Sequence, residues 1–240
     1  MPKQNASPSP PVRARTTRPR STRRTRLRPQ EREELVIREA SAFFAKVGFG
    51  GKLKDLAERL GVTQPLLNRY FPTKDDLIRR IYETLYRDTW SADWDVILRD
   101  RSRPLEERLE SFYRAYTDQI FGYERVRMFF MLALHGVDIR SRYLRVLRKH
   151  LILAVCRELR HELALPAAST LPFTAEEEQL VHSLHSAINQ LGIQEYVYGM
   201  KPRLSRAAII RLEVRNFLLG ARVLVPELVG KPKKRTTRGG

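Results

Sequence analysis

Cysteine is almost absent from this chain: one residue of 240, Cys156, carries a thiol, and it has nothing to pair with in its own chain. No internal disulfide framework is possible, and a reducing cytoplasm is the expected compartment. Long apolar runs are absent too. No stretch approaches the ~18 consecutive apolar residues of a membrane span, and no signal-peptide core is legible, so no membrane partner is expected. Strand-like alternation and internal repeats are missing. So are G-x-S-x-G, P-loop and G-x-G-x-x-G motifs, and any Cys/His pair in a catalytic frame. An enzyme is not expected, nor a cofactor. His182 and His185 stand three apart, a legitimate metal-ligand spacing. No Cys or third His lies nearby, so they are read as face or pocket-lining residues and no metal is expected.

Acidic residues are missing from both ends. Residues 1–29 contain nine Lys and Arg with no acid, and residues 231–240 contain five more, again with no acid. Of the net +18, only +4 is left for everything between. The first tail is rich in Pro, Ser, Thr and Arg and has few large apolar residues, so it cannot bury enough surface to fold alone. Three readings stay open: a polybasic arm that follows phosphates or enters a minor groove, a solubilising tail, or an organellar transit peptide. The missing apolar face weighs against the third.

What is present is a helix-turn-helix pattern over residues 53–77. Leu53, Leu56, Ala57 and Leu60 form the apolar face of a short helix that stops at Gly61, a residue free to take the left-handed conformation. Thr63 has cap chemistry for a second helix, and Pro65 falls in its first turn, where a missing N–H costs nothing. On that helix Leu67 and Phe71 point inward, while Gln64 and Asn68 point outward. Two helices joined by a tight glycine turn, with amides on the outer face of the second, suit the DNA major groove. Upstream, Val36, Ala40, Phe43, Phe44 and Val47 make one stripe, ended by Gly48-Phe49. Downstream, Thr73-Lys74-Asp75-Asp76 fits a capping box that opens a fourth helix.

With the helix ending at Gly48-Phe49, then Asp55-Leu56-Ala57, Gly61-Val62, Leu67 and Tyr70-Phe71-Pro72-Thr73-Lys74, the chain resembles the N-terminal domain of the TetR family of bacterial transcriptional regulators, over roughly residues 32–85. A three-helix unit of any kind buries a Phe pair and ends helices at Gly. That does not explain why Tyr70-Phe71 stands before a fresh cap. The resemblance implies that Gln64 and Pro65 lie against base edges with Lys54 close by, and that Tyr70 and Lys74 clamp the phosphate backbone. Thr63 and Arg69 are further phosphate candidates, and Asn68 a base-reading one. Two positions depart from the family. A capping Thr or Ser is usual before the second helix, where this chain has Gly51 and Lys52, with Lys52 the substitute for the missing hydroxyl contact. Position 68 is commonly Tyr and is Asn here, an amide able to pair with a base edge.

Beyond residue 73 nearly everything has helical period. The fourth helix carries Leu77, Ile78, Ile81, Tyr82 and Leu85. A looser stretch contains Arg101-Ser102-Arg103-Pro104, and a long helix follows from about Leu105 to Ile120. Val126 to Leu134 is apolar almost all round and is expected at the centre of the body. Ser141 to Leu163 is another helix, residues 165–172 a loop, and Thr174 to Leu191 a helix with the stripe Leu180, Leu184, Ile188 and Leu191. The last helix, about Ser205 to Leu224, carries Ile209, Ile210, Phe217, Leu218 and Ala221.

The expected fold is therefore all-α: a disordered polybasic arm (1–29), a helix-turn-helix DNA-binding domain (30–76), a helical effector-binding and dimerisation domain (77–228) and a basic tail (229–240). By resemblance the last two long helices meet their copies in a homodimer, with Leu184, Ile188, Leu191, Phe217 and Ala221 at the interface. A small-molecule effector is expected among Tyr113, Tyr116, Phe129, Met131 and His135. The implied function is a regulator, most often a repressor in this family, that binds double-stranded DNA at a palindromic operator. Two rivals remain: an architectural DNA-binding protein dominated by its tails, and a binder of anionic membrane surfaces.

Overall fold

The computed structural model describes residues 28–86, 90–138 and 143–230. Most of the basic arm and all of residues 231–240 lie outside them. The described residues form helices α1 (Pro29–Val47), α2 (Leu53–Leu60), α3 (Gln64–Tyr70), α4 (Lys74–Tyr86), α5 (Ala92–Arg99), α6 (Leu105–Ile120) and α7 (Tyr123–Leu134). There follow α8 (Arg145–Leu147), a π-helical turn (Arg148–Ile152), α9 (Leu153–Glu162), α10 (Ala175–Tyr196) and α11 (Arg206–Gly230). No strand occurs among the described residues.

Local chemistry sets the helix starts and stops. Thr73 and Asp76 form the reciprocal cap read from the sequence: Thr73 N donates to Asp76 Oδ2 at 3.1 Å, and Asp76 N to Thr73 Oγ1 at 3.1 Å. The Thr73 hydroxyl donates to the same carboxyl at 2.7 Å and, with the Thr73 N–H, holds Asp76 below the usual carboxylate range. Thr174 and Glu177 make the same box at the start of α10. Gly61 takes φ 64° and ψ 34°, and Val62 N donates back to Ala57 O at 3.0 Å, a Schellman closure that only a left-handed residue allows.

Two apolar cores result. The N-terminal core joins Ala40 and Phe44 of α1, Leu56 of α2, Leu67 of α3 and Leu77 and Ile81 of α4. Each buried Leu or Phe contributes roughly 1.5–3 kcal/mol relative to exposure. The body core joins Trp94, Phe112, Leu151, Ile188, Val214 and Leu218. Arg160 fastens the loop before α10, donating to both carboxylate oxygens of Glu177 at 2.7 Å and to carbonyls of Pro166 and Pro172. Glu158, which burial alone would raise, is held below its usual range by the guanidiniums of Arg101 and Arg108.

Several expectations change here. Helix α5, pinned by buried Trp94 and Leu98, is an added element before the Arg101-Ser102-Arg103-Pro104 stretch, which is itself the loose turn expected. Helix α7 is not central: Leu134 is 90% exposed and Phe130 37%. It packs on the N-terminal core and against α10 instead, with its far end left open to solvent. Met128 and Leu132 complete the N-terminal core. Leu184, Ile188, Leu191 and Ala221, expected at a dimer interface, are buried within this chain, and Phe217 packs half-buried on the same core. The reason is that α10 and α11 lie against each other, and α11 against α6 as well. Their inward stripes are used up within one subunit. The apolar face that α11 leaves uncovered is Leu212, Leu219, Val223 and Leu224, each 42–62% exposed.

Candidate nucleic-acid interface and body cavity

Helix α3 is short and anchored by one buried side chain, Leu67, with Phe71 closing it from the following turn. Thr63 caps it through Leu66 N at 3.4 Å. With Leu67 inward, Gln64, Pro65, Asn68 and Arg69 are left exposed, and Tyr70 is half-buried at the end. Lys52 and Lys54 are exposed at the start of α2. Lys54 stands 4.0 Å from Glu58 in a solvent-exposed pair, an interaction worth little and free to rearrange. The sequence-predicted base-reading and phosphate candidates thus fall together around α3, Lys74 excepted.

The ammonium of Lys74 turns inward. It donates to the carbonyls of Phe49 and Gly51, the latter at 2.8 Å, and sits 5.6 Å from the centre of the Phe44 ring. Its place is a brace under the α1–α2 turn, because that turn presents unpaired carbonyls beside the first residue of α4. The missing hydroxyl cap is explained by the same turn. A Cβ on Gly51 would come within 2.6 Å of Phe43 and 2.7 Å of Val47, so the chain passes too close for a Ser or Thr there. Lys52 becomes the N-cap residue without any side-chain cap bond.

The second feature is a cavity of about 270 Å³ reached by α4, α6, α7, α10 and the segment around Tyr143. Of the expected pocket residues, Tyr116 and Phe129 line it. Tyr113 lies one layer deeper, its ring 6.3 Å from that of Tyr116. Met131 and His135 face the other way. Met131 packs on the N-terminal core, while His135 Nε2 stands 3.2 Å from Asp75 Oδ1 with its ring 5.1 Å from Phe49. On an α-helix Phe129 and Met131 are two apart and cannot share a face.

The wall is polar at a few points only. Tyr116 Oη donates to Asn189 Oδ1 at 3.1 Å and lies 3.4 Å from Tyr143 Oη. Burial raises both phenols, so they stay protonated. Tyr86, at the far end of α4, donates to the carbonyl of Arg125 at 2.8 Å. His185 is 4% exposed, and neither ring nitrogen has a hydrogen-bond partner. Burial, with a smaller contribution from His182, pushes its pKa down to about 3. Tyr86, Tyr143 and Arg125 carry no marking in the sequence. His182, His185 and Asn189 do leave a trace, as polar residues at helical spacing beside an apolar stripe.

The cavity and the α3 region share two helices. Helix α4 begins beside α3 and ends in the cavity wall at Tyr86. Helix α7 gives Phe129 to the cavity and Met128 to the N-terminal core. Arg127 adds a tie, donating to Ala45 O of α1 at 2.6 Å and Tyr196 O of α10 at 3.4 Å.

Residues 36–81 match the family model of bacterial regulatory proteins, tetR family. A comparison with curated proteins finds no relative matching this sequence. Two solved structures share the fold. One is assigned as a TetR-family transcriptional regulator from Mesorhizobium loti MAFF303099, with TM-score 0.52 and 13% identity over 81% of this chain and 98% of its own. The other is a TetR-family transcriptional regulator from Streptomyces coelicolor, with TM-score 0.53 and 21% identity over 85% of this chain and 87% of its own. The matched segment runs from the buried stripe of α1 through α2 and α3 to Ile81 in α4, the stretch that builds the exposed face described above. Residues 36–81 thus carry a helix-turn-helix domain similar to that of the tetR family of bacterial regulatory proteins, and the chain as a whole shares the fold of the two solved TetR-family structures.

Proposed function

We propose that the protein is a homodimeric repressor that binds a palindromic operator and is released by a small-molecule effector. The observation that carries this reading is that α4 spans the two features. Its first turn adjoins α3, and its last residue, Tyr86, lines the body cavity. In this reading Gln64, Pro65 and Asn68 meet base edges, with Lys54 beside them, and Lys52, Thr63, Arg69 and Tyr70 meet phosphates. An amide pairs bidentately with adenine N6 and N7, which suits Gln64 and Asn68.

One α3 helix makes few base contacts, so two copies related by a two-fold axis are needed to read two half-sites. The uncovered stripe Leu212, Leu219, Val223 and Leu224 on α11 supports a partner helix there, in place of the inward residues expected from sequence. An effector that prefers a different setting of α4 and α7 shifts the spacing of the two α3 helices by the difference in its affinity for the two states. The test is selection of bound fragments from sheared genomic DNA, followed by a titration of the selected site against a scrambled one. A strong preference for the selected site is expected. Indifference to sequence would move the architectural reading ahead.

A further inference from the structure

The cavity carries information about its ligand that the family does not supply. Among the described residues its wall is dominated by aromatic rings: Tyr86, Tyr116, Phe121, Phe129 and Tyr143. No Asp or Glu is among those lining residues, so an organic cation would lose its hydration with no countercharge to replace it. Arg125 is the one permanent charge on the same wall. Around His185 the neighbours are neutral, Tyr116 at 5.3 Å and Tyr113 at 6.1 Å between ring centres. An anion placed beside them would meet neutral rings, with Arg125 the one permanent countercharge on the wall.

The polar groups that remain want a hydrogen bond. His185 is buried with both ring nitrogens unpaired, and the hydroxyl of Tyr113 behind it is unpaired as well. Buried polar groups without partners cost stability, and each asks for a reason. A neutral imidazole offers one donor and one acceptor. A hydroxyl group is the simplest group that both donates and accepts. Asn189, one turn further along α10, has its carbonyl oxygen engaged by Tyr116 and its amide N–H groups left to donate.

We infer that the cavity selects an uncharged aromatic molecule bearing a hydroxyl group, a phenol-like ligand, with His185 and Asn189 as its hydrogen-bond partners. This rests on the cavity being the effector site. The ligand's ring lies among the aromatic walls, and its hydroxyl pairs with one ring nitrogen of His185 and accepts from the Asn189 amide. A pocket built around such a hydrogen bond rejects the analogue that lacks it, because the buried imidazole is then left unpaired.

The test uses the full chain and four probes on one skeleton: 2-naphthol, naphthalene, 2-naphthoate and 2-naphthylmethylamine. Binding is read by calorimetry, and release of the operator is read separately by fluorescence anisotropy of labelled DNA. The naphthol is expected to bind at least about tenfold more tightly than naphthalene, and the amine not at all. His185→Phe, which keeps a ring and removes both nitrogens, is expected to erase that preference while sparing naphthalene. His185→Gln and Asn189→Leu carry the same test should the Phe variant fail to fold, with partial retention expected for Gln and a reduced preference for Leu. Equal affinity for naphthol and naphthalene, tightest binding of the naphthoate or the amine, no binding of any probe, or a preference unchanged in these variants would each overturn the inference. Naphthol that binds with the expected preference but leaves the operator complex intact upholds the ligand class and removes the effector reading. Naphthoate that binds best in this cavity and releases DNA does the reverse.

Discussion

At the scale of single residues, the exposed amides of α3 and the turned-in ammonium of Lys74 predict different phenotypes. Gln64→Ala or Asn68→Ala is expected to cost roughly 1–3 kcal/mol on the cognate site and to relax preference at one base pair per half-site. Competition between cognate and single-base variants checks this. Lys52 is free to meet phosphate, so Lys52→Ala should lower the slope of log affinity against log salt by about one unit. Lys74→Met should leave that slope unchanged and lower stability by about 1 kcal/mol in urea unfolding, since water can reach the half-buried carbonyls it abandons. The phosphate role expected for Lys74 from its family position was not testable from spacing, because the carbonyls that capture it belong to a turn twenty-three residues earlier. His185 gives a pH signature. Its native pKa, about 3, lies below the ordinary 6.5, so the unfolded chain takes up a proton first as pH falls. The stability linked to this group is complete above pH ~6.5 and is lost toward pH 3, at up to about 1.4 kcal/mol per unit. His185→Phe should flatten that loss in denaturant titrations between pH 6 and 4.

At the scale of helices, what the sequence showed clearly was local. The Gly61 stop, the Thr63 and Thr73 caps, and the α6 boundaries at Leu105 and Ile120 follow from chemistry within a few residues. What it hid was which partner a stripe meets. Leu184, Ile188 and Ala221 have the right spacing for an interface, but spacing does not say whether the opposite helix belongs to the same chain. Only the packing of α10, α11 and α6 together decides that, and it uses those residues internally. The same limit split the pocket expectation, where Phe129 and His135 of one segment serve opposite sides of α7. Two consequences follow for α11. Truncation after residue 204 removes Ile210, Val214 and Leu218 from the body core, so an unfolded or aggregated body is expected rather than a clean monomer. Leu219→Asp paired with Val223→Asp, both on the uncovered face, should instead give a folded monomer by sedimentation, with helical circular dichroism retained. A dimer that survives this pair would place the interface elsewhere.

At the scale of the whole molecule, the charge is divided between ends and body: fourteen of the positive charges sit in two acid-free terminal segments, against +4 for all that lies between. The basic segment leads into α1 at Pro29, and each phosphate such a segment neutralises contributes about −0.9 to the salt slope. Charge of this kind strengthens binding to any DNA, whereas Gln64 and Asn68 distinguish one site from another. Specific recognition by α3 therefore stands or falls on one titration: affinity for the genomically selected site and for a scrambled one, across salt, with the full chain, a variant lacking residues 1–26, and Gln64→Ala/Asn68→Ala. Deleting the arm should weaken both DNAs by similar factors and flatten the salt slope by several units with the preference intact, while the double substitution should collapse the preference. Loss of all binding on deleting the arm, with the preference untouched by the double substitution, would contradict it.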